Sequence, residues 1–148
     1  MSRPETRRLS VPGTDQGIAA ALDAFAEMAA ACGLTKAVTW PVEVALDEVL
    51  ANVVRHGLEG REGGSVEVEL TVDTGVEPPL CRVLVADDGP EFDPLSAAEP
   101  DTSLGVEDRP VGGLGIALVR RLMDEVAYER RDGRNRLRFA RRLVAMEA

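Results

Sequence analysis

The 148-residue chain is 45% hydrophobic and 29% charged, the make-up of one ordinary globular domain that buries a core without disulfide or metal staples. A formal net charge of −9 argues against a nucleic-acid binder, which needs a basic surface to displace counterions. It leaves a phosphate ligand open, because backbone amides and Mg²⁺ carry phosphate without net positive charge.

Residues 1–8 are polar and read as a flexible N-terminus, followed by a domain over residues 9–144. Leu9-Ser10-Val11 suits a short edge strand, stopped by Pro12-Gly13. Thr14 or Asp15 can cap a helix in which Ile18, Leu22, Phe25 and Met28 recur at helical spacing, with Gly33 at its C-terminal stop. A second helix is predicted from Pro41, a favoured first-turn residue, to His56, with Gly57 ending it. Ser65–Val72 alternates apolar and polar residues as a half-buried strand, and Leu80–Ala86 is apolar enough to be a central one. Pro94–Val111 lacks periodicity and reads as a long loop of the functional kind. A third helix at about Leu114–Glu125 precedes strands Val126–Arg131 and Arg136–Leu143, joined by a hairpin turn at Asp132-Gly133-Arg134-Asn135. The order predicts an α+β fold: a two-layer sandwich whose mostly antiparallel, mixed sheet carries three helices on one face.

Cys32 and Cys81 fall in no metal-binding spacing and read as reduced thiols. No stretch reaches the roughly 20 apolar residues of a membrane span, so no membrane partner is expected. The N-terminal residues lack an apolar signal core, and a cytoplasmic protein is expected.

Three local patterns bear on chemistry. Glu48 and Asn52 lie four apart on the second helix and share a face, with His56 one turn on. A carboxylate and an amide stacked there can serve as general base and Mg²⁺ ligand, although a solvated polar stripe has the same spacing. Val85-Ala86-Asp87-Asp88-Gly89-Pro90 ends an apolar strand in an acid beside a glycine. Such an Asp can accept a hydrogen bond from an exocyclic amine while the glycine lets a flat base approach; an ordinary Asp-Gly turn looks alike. Gly112-Gly113-Leu114-Gly115 opens the third helix, where amides and the helix dipole favour phosphate. A flexible hinge is the alternative there.

The order of these patterns resembles the GHKL ATPases and kinases, which include gyrase and the histidine kinases. Glu48…Asn52 looks like the N box, Asp87-x-Gly89 the first glycine box and Gly113-x-Gly115 the second. Within that superfamily LDEVLANVVRHG, DDGPEFDP and GGLGIALVRRLMDEVAYERRDGRNRL are most similar to the small bacterial anti-sigma-factor serine/threonine kinases of partner-switching systems.

The resemblance implies ATP and Mg²⁺ as cofactors. It makes Glu48 the general base toward a substrate hydroxyl and Asn52 the Mg²⁺ ligand. Asp87 would hold the adenine amino group, with Gly89 beside it. Gly113, Leu114 and Gly115 would hold phosphate, residues 94–111 would form an ATP lid, and Arg109 in that lid could reach a phosphate. Asn135 falls near the adenine. Glu91 departs from the pattern, standing where the first glycine box often has Gly or Pro. The implied partners are an anti-sigma-factor antagonist as substrate, a sigma factor, and a second copy of the chain in a homodimer; no direct nucleic-acid contact is implied. Two other readings compete with this one: a non-catalytic ATP-binding module, and the catalytic domain of a histidine kinase. The second is disfavoured, since His56, inside the N box, is the sole histidine and no helical hairpin precedes the domain.

Overall fold

The computed structural model describes residues 4–58, 64–96 and 113–145. The elements run β1 (Glu5–Pro12), α1 (Asp15–Ala31), α2 (Lys36–Val53), β2 (Ser65–Asp73), β3 (Leu80–Asp87), α3 (Gly113–Leu122), β4 (Glu125–Arg131) and β5 (Arg134–Arg142). The sheet order is β1-β2-β3-β5-β4. β3 is central, as its continuous apolar run predicts.

All the pairings among these strands are antiparallel, so the sheet is not mixed. The connections explain this. β2–β3 and β4–β5 are sequential antiparallel neighbours, and β4 enters at the sheet edge after α3. β5 must then return between β4 and β3, antiparallel to both.

One sheet face is apolar and carries the helices. Val66, Val68, Leu70 and Val72 on β2, Cys81, Val83 and Val85 on β3, and Leu137 and Phe139 on β5 are buried at every second position. α1 packs on β1 and β2, α2 on β3, and α3 on α2 and β4. α2 supplies Val42, Ala45, Leu46, Val49 and Leu50, and α1 supplies Ala21, Phe25 and Met28. Each large side chain buried here stabilises the fold by roughly 1.5–3 kcal/mol of transfer free energy. The edge strands are protected against further pairing, β1 by Arg7, Arg8 and Pro12, β4 by Glu125, Glu129, Arg130 and Arg131.

Several element boundaries differ from the sequence expectation. β1 begins at Glu5 rather than Leu9, because β2 extends to Asp73 and pairs with it as far as Glu5↔Val72. α2 begins at Lys36, which leaves Pro41 inside it. A proline early in a helix forfeits one backbone bond, and here its ring is buried against the core. α2 passes at Val53 into a π-helical turn, Val54–Leu58, that includes Gly57. α3 ends at Leu122, where the Arg141 guanidinium donates Nη1 to the Leu122 carbonyl at 2.6 Å. The hairpin turn is the pair Asp132-Gly133, with φ of 54° and 74°. Positive φ at both residues gives a two-residue turn that matches the twist of the strands, and so Asn135 lies within β5 rather than in the turn.

Candidate functional site

The C-terminal end of β3 and the last two turns of α2 face each other across a narrow slot lined by Val49, Asn52, Val85, Asp87, Phe92, Pro94, Tyr128, Asn135 and Leu137. Helical spacing determines what α2 offers. Val49 goes to the core, and Asn52, three residues on, reaches the rim of the same face, 7% exposed. Asp87 is 3% exposed, at the position where β3 leaves the sheet on its helix-covered side.

A buried carboxylate must be hydrogen-bonded, and Asp87 is. Its Oδ1 accepts from the Gly89 amide at 2.8 Å and from Asn135 Nδ2 at 3.0 Å. Asn135, its direct partner across β3 and β5, also donates Nδ2 to the Pro90 carbonyl at 2.8 Å. Its Oδ1 accepts from the Phe92 amide at 3.1 Å and from Tyr128 Oη at 2.6 Å. Arg130 Nη1 donates to the Gly89 carbonyl at 2.8 Å. The loop Gly89–Phe92 is therefore clamped by side chains from β3, β4 and β5, and Glu91 is carried on a loop whose shape its neighbours impose. Burial, reinforced by the nearby Glu91 carboxylate, pushes the Tyr128 hydroxyl above its ordinary pKa.

One turn before Asn52 on α2, Glu48 meets the start of α3. A Cβ added to Gly115 would overlap Oε2 of Glu48. The glycine lets the carboxylate lie directly against the helix backbone. Gly113 and Leu114 open α3. Glu48 and Gly115, 67 positions apart in sequence by 115 − 48, are thus neighbours in space.

The slot itself is tight, with a cavity volume of about 20 Å³, room for one water-sized guest. Phe92, 37% exposed, is the wall least held by packing. Its ring stacks on His56 with centroids 4.6 Å apart and planes at 18°.

Of the expected site residues, Asn52, Asp87 and Asn135 line the slot, Gly89 is hydrogen-bonded to Asp87, and Glu48 lies against Gly115. Asn135 lines the slot, and its amide makes four hydrogen bonds to protein, which brace Asp87 and the loop. Gly112 and Arg109, with residues 97–111 of the expected lid, lie outside the described residues. Asp93 Oδ1 accepts from the Leu95 amide, and Arg120 donates to the Leu95 carbonyl, which ties the short helical turn Pro94–Ser96 to α3. Tyr128 and Arg130 on β4 and Arg120 on α3 had no sequence signal: neither strand alternation nor helical spacing says which neighbour a polar side chain reaches.

The residues fit Mg²⁺ of the kind carried by a nucleotide. No cluster of three or more His, Cys, Asp or Glu that would form an all-protein cage occurs among the described residues. Asn52 presents a single amide at the slot, and Mg²⁺ on phosphates needs only one or two protein ligands and water.

An antiparallel sheet covered by three helices, with an acid/amide pair on one helix and glycines opening another, defines a domain built to hold a nucleotide. The chain belongs to the family described as histidine kinase-like ATPase domain, which it matches over residues 11–141. Among individual proteins it is similar to the serine/threonine-protein kinase BtrW of Bordetella bronchiseptica, at 34% identity over 62% of this chain and 61% of that protein. It is similar to the serine-protein kinase RsbW of Listeria monocytogenes, at 26% identity over 80% and 75% of the two chains. RsbW of Oceanobacillus iheyensis matches at 25% over 90% and 84%. The match to BtrW thus spans less than two thirds of that relative. The fold is shared with the structure of the RsbU and RsbW domains of Rv1364c from Mycobacterium tuberculosis, with a TM-score of 0.64 and 16% identity over 94% of this chain and 32% of that one.

Proposed function

We propose that this chain is an ATP-dependent serine/threonine protein kinase that phosphorylates a small anti-sigma-factor antagonist and sequesters a sigma factor. The observation that carries the reading is the contact of the Glu48 carboxylate with Gly115 at the start of α3. In this reading Glu48 lies beside the turn that takes phosphate, and Asp87, which lines the slot, takes the base. The names of the relatives, serine-protein and serine/threonine-protein kinases, support the same reaction class.

Phosphoryl transfer asks mostly for positioning and charge neutralisation. Asp87 accepts a hydrogen bond from the adenine amino group, with Gly89 leaving space for the ring. The amides of Gly113, Leu114 and Gly115 and the dipole of α3 take phosphate charge. Residues 94–111 close over the nucleotide and exclude water, with Arg109 among the groups that reach phosphate. Asn52 holds Mg²⁺, which when bound neutralises phosphate charge. Glu48 accepts the proton of the attacking serine or threonine hydroxyl. The same reading implies a cytoplasmic homodimer; among the described residues no helix is long and apolar enough to cross a membrane.

The test is incubation of the protein with Mg-ATP and candidate antagonist proteins, read by intact mass. The wild type adds one phosphate to its partner. Glu48→Gln retains ATP binding and loses transfer; transfer by Glu48→Gln at the wild-type rate would remove the base assignment. ATP binding with no phosphate on any partner would favour a non-catalytic module that uses ATP to hold its partner.

A further inference from the structure

We infer that Tyr128 and Asn135 are positioning residues that hold Asp87 in one orientation and so set a preference for adenine over guanine nucleotides. The inference rests on the nucleotide reading above and adds a source of base specificity to it.

The geometry leaves the relay one arrangement. The Phe92 amide is a donor only, so the Asn135 atom facing it, at 3.1 Å, must be the carbonyl oxygen. Tyr128 Oη, 2.6 Å from that oxygen, must then donate its proton to it. The Asn135 amide nitrogen is left facing two acceptors, the Pro90 carbonyl at 2.8 Å and Asp87 Oδ1 at 3.0 Å. Oδ1 also takes the Gly89 N–H. Among the described residues no hydrogen bond is made to the other carboxylate oxygen, Oδ2, and Asp87 lines the slot. The relay thus occupies one oxygen of Asp87 and leaves the other available to a ligand in the slot.

A fixed, unpaired carboxylate oxygen discriminates between purines by charge. Adenine presents an amino group, a donor, where guanine presents a carbonyl, an acceptor. In a buried slot the first makes a charge-assisted hydrogen bond, and the second faces a desolvated anion. Discrimination of this kind requires that the carboxylate not rotate away. Asp87 has a single χ2 torsion, and such terminal torsions are broad, so the rotation is stopped by its partners. Asn135 is 6% exposed and makes its full set of hydrogen bonds, so it cannot move without leaving a buried group unsatisfied.

The experiment measures the affinities of ATP and GTP by calorimetric titration for the wild type, Tyr128→Phe and Asn135→Ala, with thermal denaturation of each variant. Tyr128→Phe keeps the ring and removes one hydrogen bond, so it stays folded even if Asn135→Ala does not. In Tyr128→Phe the expected ratio of ATP to GTP affinity falls roughly fivefold to tenfold, the loss of one hydrogen bond in a polar network, and it falls further in Asn135→Ala. A merely structural role would weaken ATP and GTP together and leave the ratio unchanged; that result overturns the inference. So does a wild type that binds ATP and GTP equally. A wild type that binds neither removes the nucleotide reading and the relay with it, whereas an unchanged ratio in variants of an ATP-binding wild type removes the relay alone.

Discussion

The Glu48 carboxylate rests against Gly115, in the space that any larger residue at that position would need for its Cβ. This one contact joins the acid of α2 to the first turn of α3, and it makes a glycine necessary there for a reason separate from phosphate binding.

Gly115→Ala should therefore act through Glu48. The overlapping atom is the end of a flexible side chain, so the domain stays folded and its denaturation midpoint changes little. The carboxylate is displaced, and misplacement by about 1 Å costs roughly 100-fold in a positioned reaction. The check is the single-turnover transfer rate to a phosphorylatable partner, beside ATP affinity. An unchanged rate would show that the contact has no part in the reaction.

Asn52→Ala should weaken nucleotide binding in a Mg²⁺-dependent way. If Asn52 is the Mg²⁺ ligand, ATP affinity falls roughly tenfold or more with Mg²⁺ present and changes little in excess chelator. Equal loss under both conditions would assign Asn52 to packing instead.

At Gly17 the constraint is backbone against backbone. A Cβ there would overlap the Pro12 carbonyl oxygen, while the Gly17 amide donates to the capping Thr14 hydroxyl at 3.1 Å. Alanine favours helix by up to about 1 kcal/mol, but overpacking against atoms that cannot turn aside costs about 1–3 kcal/mol. Gly17→Ala should lower the thermal midpoint by several degrees; a rise would refute the close approach.

Cys81 gives the fold an alkaline limit. Burial raises its thiol from 9.0 to about 12. The unfolded chain then ionises first, so above pH 9 it binds fewer protons than the native one. Stability from this group is full below the unfolded value of 9.0 and is lost as pH rises from there through about 12. Denaturant midpoints measured on both sides of the unfolded value should fall more for the wild type than for Cys81→Ala. Tyr128, also raised, acts in the same direction in both proteins and cancels in the comparison. Parallel losses would show that Cys81 is not the source.

What the sequence determined by itself was whatever depends on near neighbours. Helical spacing put Glu48 and Asn52 on one face, alternation marked β2, the apolar run marked β3 as central, and Thr14 capped α1 as its residue type suggests. The order of the motifs was enough to indicate the family. Only the tertiary structure decided which distant residues meet. Asp87 and Asn135 are 48 positions apart, and their pairing depends on β5 returning between β3 and β4, a consequence of where α3 delivers the chain. The two-residue turn at Asp132-Gly133 sets the β4–β5 register, and the separate β3–β5 pairing brings Asn135 opposite Asp87. A shift of one residue would turn that amide to the other face of the sheet. Tyr128 and Arg130 are likewise ordinary residues of an alternating strand until β4 lies beside β5, when they become the brace of a loop on β3. Local chemistry named the acid, the amide and the glycines, and the sheet register decided which group holds each of them still.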